Sequence, residues 1–209
     1  MSQHELVQQS SWAPSLKFEK RKFIRNKEVI FREKEDSTKG FYFLKAGLIK
    51  ISTLTHSGEE LIIDIVCDET PFGEQVVDGE KYFSTATAMI DSIVYFFPIS
   101  TVESLIVGDG HFRTLLYQSV TEKLEILSNN LLYDSLPSEK LLARTILKLR
   151  EKFISDQFPF TQTELCRYTN LNRNTIYHIF KKWTNDVVSI DKRKITIHNI
   201  DTLKKIASS

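Results

Sequence analysis

The chain has 209 residues, of which 41% are hydrophobic, 11% aromatic and 26% charged. This composition is that of an ordinary globular protein and excludes a disordered, collagen-like or low-complexity chain. No apolar run approaches the roughly 20 residues that a membrane-spanning helix needs, and the amino terminus lacks a secretory pattern. The chain has 2 cysteines, Cys67 and Cys166, which lie too far apart for a zinc or redox motif and indicate a reducing, cytoplasmic location.

The formal net charge of +1 conceals an uneven distribution. From Glu139 to the carboxyl terminus there are 14 Lys and Arg against 7 Asp and Glu, which gives +7. The rest of the chain holds the other 14 basic and 20 acidic side chains, which gives −6. This asymmetry indicates that the carboxyl-terminal third binds a polyanion such as nucleic acid. The alternative is a chance scatter of surface charge.

Residues from about 18 to 100 are predicted to form β-strands. Short segments rich in β-branched and aromatic residues (41–44, 48–51, 61–66 and 93–97) alternate with turn signals at Gly40, Gly47, Gly58 and Gly73. Turns at intervals of about ten residues are typical of an all-β sandwich or barrel. The same segment carries many aromatic residues, which either line an apolar ligand pocket or simply form the core; they are Phe41, Tyr42, Phe43, Phe72, Tyr82, Phe83, Tyr95, Phe96 and Phe97.

The pattern changes after Gly110 to the period of an α-helix. Apolar side chains recur at steps of three or four over more than 20 residues; they are Phe112, Leu116, Val120, Leu124, Leu127 and Leu131. So long a stripe predicts a helix that pairs with its copy in a symmetric homodimer. The alternative is that the stripe packs on its own β domain.

Pro137 ends this helix, because a proline drives the residue before it out of the helical region. Ser138 is expected to cap the helix that follows. The predicted domains are therefore a β domain at 1–109, a dimerisation helix at 110–134 and a basic carboxyl-terminal domain at 135–209.

The basic domain contains a predicted helix-turn-helix. Thr161 and Glu164 fit the capping-box formula, in which each side chain bonds the backbone N–H of the other residue. A short helix then stops near Asn170, a residue that tolerates the left-handed conformation. Asn172 is expected to cap a second helix, whose Ile176 and Trp183 lie on the face suited to burial, together with Ile179 and Phe180.

The opposite face of the second helix is polar, as in a helix that enters the major groove. Two short apolar runs after it flank residues 191–194 and predict a hairpin with a basic tip, a wing that meets backbone phosphate. A winged helix that binds protein is the alternative. The residues predicted to contact DNA are Thr161, Gln162, Asn172, Arg173, Asn174, Thr175, Tyr177, His178, Lys181, Lys192 and Arg193.

With these motifs the chain resembles the Crp/Fnr family of bacterial transcription regulators over nearly its whole length. The resemblance is carried by residues 40–51, by 58–61 and 71–74, and most closely by 161–165 with 172–176. It implies an α+β fold with an amino-terminal antiparallel β-roll of the jelly-roll, cyclic-nucleotide-binding-like type, a long dimerisation helix and a carboxyl-terminal winged helix-turn-helix. It also implies a homodimer that binds double-stranded promoter DNA and contacts RNA polymerase, with no membrane involvement.

The resemblance assigns roles within the recognition helix. In many members the first arginine reads guanine, and Arg173 occupies that position with the bidentate fork that guanine O6 and N7 require. The next family position is often Glu; here it is Asn174, whose amide suits adenine instead. A later family arginine corresponds to His178. We therefore expect an operator that departs from the catabolite-activator consensus.

The effector is left unknown by the sequence. Cyclic-nucleotide members pair a Gly-Glu with a downstream Arg that holds the phosphate; Gly73 and Glu74 are present, but Tyr82 and Phe83 stand where the Arg is expected. Lys81 is the nearest cation and lacks the guanidinium fork. We therefore expect no response to cyclic AMP. The candidate effector-pocket residues are Gly73, Glu74, Tyr82, Phe83, Ser84 and Thr85.

No cofactor and no metal site are predicted. The first 66 residues contain no cysteine, which argues against the iron–sulfur cluster of oxygen-sensing relatives. A haem ligand among His4, His56 and His111 is the less favoured alternative to solvated or structural histidines. Cys67 is interpreted as a small buried hydrophobe, with a redox site as the alternative.

An enzyme is not predicted, because the chain has no phosphate loop, nucleophile elbow or metal-ligand cluster. The leading interpretation is a sequence-specific DNA-binding regulator. Two alternatives remain at this point: a cyclic-nucleotide-gated activator and a β-roll module that regulates a partner protein.

Overall fold

The computed structural model describes residues 12, 15, 20–36, 40–75, 81–133, 135–191 and 193–208, with the side chain of Asn185 left out. The fold is α+β, as predicted. The chain divides into two compact units, one made of residues 1–53 and 63–127 and the other of residues 54–62 and 128–209. The predicted domain limits at 109 and 134 stay a prediction.

Two four-stranded sheets build the amino-terminal β structure, in the spatial orders β1-β8-β3-β6 and β2-β7-β4-β5. The pairings β1/β8, β3/β8, β3/β6, β2/β7 and β4/β7 are all antiparallel. This arrangement confirms the predicted β-roll. The strands are β1 (Lys20–Ile24), β2 (Val29–Phe31), β3 (Gly40–Ala46), β4 (Ile49–Leu54), β5 (Glu60–Val66), β6 (Thr70–Phe72), β7 (Thr85–Ala88) and β8 (Ser92–Pro98).

Strand β3 is buried on both faces, which explains its unbroken apolar sequence. Because successive side chains of a strand point to opposite faces, Tyr42 and Leu44 join the core of the β-roll. Phe41 and Phe43 join a second, aromatic cluster on the other face, together with Trp12 and with residues of the helices that follow. Strand β3 therefore contributes to both clusters and packs the β-roll against the helices that follow it.

Two helices follow the β-roll, α1 (Ile99–Gly108) and α2 (Gly110–Tyr133). Helix α2 confirms the long helix expected from the apolar stripe. Phe112 and Leu116, at 0% and 7% exposure, pack into the aromatic cluster. Their proposed place at a dimer interface is therefore corrected: both side chains are used inside their own protomer.

Among its described residues, the second unit contains a three-stranded sheet in the order β10-β11-β9 and, after the end of α2, four helices. They are α3 (Ser138–Phe153), β9 (Gln157–Phe158), α4 (Gln162–Thr169), α5 (Arg173–Val187), β10 (Val188–Asp191), β11 (Lys194–Ile197) and α6 (Ile200–Ser208). Ser138 is not the cap of α3, because the cap position falls at Pro137 and carries no side-chain hydrogen bond. None of the helices among the described residues is long and apolar enough to cross a bilayer.

Candidate DNA-binding face and effector cavity

Side-chain caps define both ends of the turn between α4 and α5. The Thr161 hydroxyl accepts the Glu164 backbone N–H at 3.1 Å, and the Thr161 N–H donates to Glu164 Oε2 at 2.6 Å. Asn170 ends α4 in the left-handed conformation, with φ of 55°. The Asn172 side chain then accepts the Thr175 N–H at 2.8 Å and starts α5. All three cap predictions are confirmed.

Helix α5 has one buried and one polar face. Ile176, Ile179 and Trp183 are buried at 0%, 8% and 4% exposure, and Phe180 is half-buried beside them. The side chains of the opposite face are exposed; they are Arg173, Asn174, Tyr177, His178 and Lys181. These residues therefore lie together on a surface that base edges and phosphates could reach.

Four of the other predicted contact residues serve the fold itself. Thr161 forms the capping box, Asn172 caps α5, and Thr175 donates the capped N–H. The Gln162 side chain donates to the Arg173 carbonyl at 3.2 Å and joins the two helices. Their bonds set the angle between α4 and α5, so these residues position the polar face.

Strands β10 and β11 form the predicted hairpin, in which Asp191 pairs with Lys194. Arg193 at its tip is exposed. Lys192 lies outside the described residues. Strand β9, which pairs with β11 through Phe158 and Ile195, was not predicted because two residues carry too little periodicity.

The end of α5 is tied to the start of α3 through one carboxylate. Lys182 Nζ donates to Glu139 Oε2 at 2.6 Å, and the Trp183 indole N–H donates to Glu139 Oε1 at 2.8 Å. The hydrogen bond from Lys182 is the largest cause of a Glu139 pKa below its ordinary value; partial burial opposes it and Trp183 reinforces it. Sequence reasoning missed this contact, since it joins residues more than 40 positions apart.

Both cysteines are partly buried, and neither is in a disulfide. Burial raises the pKa of the Cys166 thiol, and the nearby charges of Arg173 and Arg167 act in the opposite direction. A thiol with a raised pKa is a poor nucleophile at neutral pH. Whether Cys67 has a redox role stays an open prediction.

We expect Glu139→Gln to lower the free energy of unfolding of the carboxyl-terminal unit by about 1 kcal/mol at pH 7. Since the folded-state pKa is lowered, the ion pair stabilises fully above the ordinary pKa of a glutamate and loses its effect as pH falls through the folded-state pKa. The difference in the free energy of unfolding between wild type and variant should therefore disappear at acidic pH. Urea unfolding followed by Trp183 fluorescence, in a Trp12→Phe background, measures it.

Glu151→Gln is the matched control, because Glu151 is an exposed carboxylate on the same helix. It should leave the urea midpoint unchanged at both pH values. If Glu139→Gln lowered the free energy of unfolding equally at neutral and acidic pH, the stabilisation by Glu139 would not be electrostatic.

A cavity of about 290 Å³ lies within the first unit, where the β-roll meets α2. Of the predicted effector residues, Gly73, Glu74, Phe83 and Ser84 line it. Most of the other lining side chains are apolar; the remainder of the lining is Phe31, Ile51, Ile63, Asp64, Phe72, Gln75, Val120, Lys123, Leu124, Ile126 and Leu127. Helix α2 therefore supplies one wall of the cavity. Part of this wall comes from the apolar stripe, which was expected either to pair with its copy or to pack on its own β domain.

Glu74 is buried and bonded to α2. Its Oε1 accepts from Ser119 Oγ at 2.6 Å and from Lys123 Nζ at 2.6 Å. Lys123 Nζ also donates to Ser119 Oγ at 2.7 Å and to the Pro71 carbonyl at 3.0 Å. An ammonium group has three N–H donors, and these bonds use all three. The ion pair connects the turn after β6 with the middle of α2.

Tyr82 and Thr85 do not line the cavity. The Tyr82 ring is buried at 2% exposure and stacks on Phe31 with ring centroids 3.9 Å apart. Lys81 does not line the cavity either; it is exposed and lies 3.9 Å from Asp36. The cation nearest to the expected Arg position is therefore not part of the cavity lining.

These residues do not fit a cyclic nucleotide. The single ammonium among the described lining residues is that of Lys123, and the carboxylates of Asp64 and Glu74 lie in the same lining. Lys123 has no N–H left for a phosphate. Residues 76–80, outside the described part, add no Lys or Arg by sequence. A buried phosphodiester needs a matched cation, and the described residues offer none in this cavity.

We expect Lys123→Met to lower the free energy of unfolding by about 3 kcal/mol, because it leaves Glu74 as an unpaired buried charge. The double variant Glu74→Gln with Lys123→Met should recover more than half of the loss, since it removes both charges. Urea unfolding followed by circular dichroism measures both variants.

Lys45→Met is the control for removing a lysine from an ion pair. Lys45 bonds Glu69 at the surface of the same unit, so its loss should leave the transition unchanged. A Lys123→Met protein as stable as wild type would contradict the role given to the buried pair.

Among the described residues, no cluster of three or more His, Cys, Asp or Glu side chains could hold a metal ion. The expectations of no metal site and no iron–sulfur cluster stay predictions.

A β-roll, a long helix and a winged helix-turn-helix define a DNA-binding transcription regulator with a separate ligand-binding domain. The profile of the "Cyclic nucleotide-binding domain" matches residues 21–109, and that of the "Crp-like helix-turn-helix domain" matches residues 142–206. The chain belongs to the Crp/Fnr family of transcription regulators. Its relatives are regulators and not enzymes. This confirms the prediction that the protein is a regulator and not an enzyme.

Similarity to known members extends over the whole chain at low identity. "Regulatory protein HlyX" of Actinobacillus pleuropneumoniae is 22% identical over 97% of this chain and 86% of its own length. "Fumarate and nitrate reduction regulatory protein" of Escherichia coli strain K12 is 23% identical over 99% and 84%. The structure of FixK2 from Bradyrhizobium japonicum superposes with a TM-score of 0.80 at 17% identity, covering 91% of this chain and 98% of that one.

Proposed function

We propose that the protein is a homodimeric, sequence-specific regulator that reads a two-fold symmetric promoter site with helix α5. The exposed polar face of α5 carries this proposal. Its side chains start at the capped amino-terminal end of the helix, the end that contacts base edges in helix-turn-helix proteins. The surplus of basic residues beyond Glu139 supplies the attraction to phosphate.

Arg173 and Asn174 are proposed to read bases. Both are exposed in the first turn of α5. The Arg173 guanidinium can bond guanine O6 and N7, and the Asn174 amide can bond adenine N6 and N7. His178, one turn further along, is a shorter donor than the family arginine, which supports an operator different from the catabolite-activator consensus.

Phosphate contacts are proposed for Lys181 on α5 and for Lys192 and Arg193 at the wing. Thr161, Gln162, Asn172 and Thr175 then act by positioning the helix pair, as their hydrogen bonds indicate. Tyr177, at 56% exposure, can pack on a thymine methyl or on sugar. RNA polymerase is proposed as a protein partner on the family relationship alone.

We expect Arg173→Ala to weaken binding to the selected operator by about 1–3 kcal/mol and to relax one base position. Binding-site selection followed by fluorescence anisotropy at fixed salt measures both effects. Lys204→Ala is the control, because Lys204 is exposed on α6 and outside the proposed face. An unchanged base preference for Arg173→Ala would contradict the assignment.

A homodimer is proposed through the exposed apolar stripe of α2. Val120, Leu124, Leu127 and Leu131 are 41%, 62%, 43% and 75% exposed. Tyr117, at 65%, extends the same spacing toward the amino-terminal end. Steps of three and four from residue 117 to 131 match the apolar seam of a coiled coil, and exposed leucines at this density need a partner.

Leu131→Arg should weaken the dimer at least about tenfold, because it places two like charges across the two-fold axis. Sedimentation equilibrium on the full chain measures the dissociation constant. Val107→Arg is the matched control, since Val107 is 84% exposed on α1 and outside the stripe. Equal dissociation constants for the two variants would exclude this helix as the interface.

The proposed domain limits are 1–109 for the sensor, 110–134 for the dimerisation helix and 135–209 for the DNA-binding domain. The sensor is proposed not to respond to cyclic AMP, because Lys123 is already bonded and none of the described lining residues carries a guanidinium.

A further inference from the structure

We propose that Arg144 and Lys148 of α3 are positioning residues for DNA recognition, because they hold the winged helix-turn-helix at a fixed angle to the last turns of α2. The inference deepens the proposed function and rests on it, since it names side chains that set the distance between the two recognition helices of the proposed dimer. The contacts that carry it all lie within the second compact unit, which includes residues 128–209.

The connection between α2 and α3 is short and bonded locally. Helix α2 ends at Tyr133 and α3 begins at Ser138. The Leu136 N–H donates to the Tyr133 carbonyl at 2.9 Å. Ser135 Oγ donates to the Leu132 carbonyl at 3.1 Å. Short connections of this kind serve as hinges between domains, so the angle between the two helices depends on contacts farther along α3.

Arg144 joins α2 to the last helix of the winged domain. Its guanidinium carbon lies 5.4 Å from the ring centroid of Tyr133, the last residue of α2. Its Nε donates to the Ala207 carbonyl of α6 at 2.9 Å. The face of an aromatic ring attracts a guanidinium, and the attraction is stronger where water is partly excluded. Because Arg144 is half-buried, its one side chain holds α2 and α6 together.

Lys148 makes a second contact with α2, one turn farther along α3. Its Nζ donates to Asn130 Oδ1 of α2 at 3.1 Å and lies 5.9 Å from the centroid of the Tyr168 ring of α4. Positions four apart on α3 and three apart on α2 share a helix face, so the two cations face the two side chains of α2. Two contacts at different points along α3 restrain a rotation that a single contact would allow.

A fixed angle matters because a dimer reads two half-sites at once. When the two recognition helices are held at the right distance, binding of the first raises the effective concentration of the second at its own half-site. Preorganisation of this kind increases affinity without a new contact to DNA. Loss of the two α3 contacts therefore weakens binding to a correctly spaced operator and leaves each winged domain able to read its half-site.

The experiment compares three duplexes by fluorescence anisotropy: the selected operator, the same operator with one base pair inserted between its half-sites, and a single half-site. We expect the double variant Arg144→Met with Lys148→Met to bind the operator about tenfold more weakly than wild type. Its preference for the original spacing should fall by a similar factor. The matched control is Lys204→Met with Lys205→Met, which removes the same charge from two exposed lysines of α6. For the single half-site, the double variant should lose no more affinity than this control.

Two further variants separate positioning from charge and from folding. Asn130→Ala removes the acceptor of the Lys148 bond without a change of charge, and it should also reduce the spacing preference. Since Asn130 lies on α2, its variant tests the inference even if the double variant does not fold. Lys148→Arg keeps a donor at this position and should retain the preference of wild type.

Failure of the inference and failure of the proposed function give different results. If wild type binds the operator and both the double variant and Asn130→Ala keep its spacing preference, the inference alone is overturned. Equal losses of affinity for the operator and for the single half-site also overturn it, because the side chains would then act within one winged domain. A wild-type protein that selects no operator overturns the proposed function, and the inference with it.

Discussion

Helix α2 carries two apolar surfaces, one after the other along its length, and each needs a packing partner. The rest of the molecule depends on this requirement. Its first turns place Phe112, Leu115 and Leu116 in the aromatic cluster built on β3. The ion pair between Lys123 and Glu74 then fixes the middle of the helix. Beyond it, Leu124, Leu127 and Leu131 are exposed. The β-roll therefore cannot complete its core without α2, the helix that also carries the exposed stripe of the proposed dimer. The proposed sensor and the proposed dimer interface thus share this helix.

This shared helix gives the cavity its chemical character. In a β-roll that binds a nucleotide, a cation for the phosphate has to come from the lining. Here Lys123, the lysine among the described lining residues, is bonded to Glu74. The carboxylate and the ammonium satisfy each other, and the space left beside them is apolar.

Much of the architecture followed from the sequence because it rests on local patterns. The capping box of Thr161 and Glu164, the left-handed Asn170 and the spacing of the α2 leucines each act within a few residues. The sequence could not show that α2 is buried at one end and exposed at the other. Phe112 and Leu131 belong to the same apolar stripe and differ only in what surrounds them. Contacts such as Glu74 with Lys123 depend on the completed fold, and no short-range signal announces them.

The carboxylate of Glu139 has a consequence for how a signal could act on DNA binding. It joins the first turn of α3 to the far end of α5 by two hydrogen bonds, one of them to a buried indole. The other end of α5 is joined to α4 through Gln162. Hydrogen bonds therefore join both ends of the recognition helix to other helices of its own unit. We therefore expect a change in the orientation of α5 to move α3 and α4 with it.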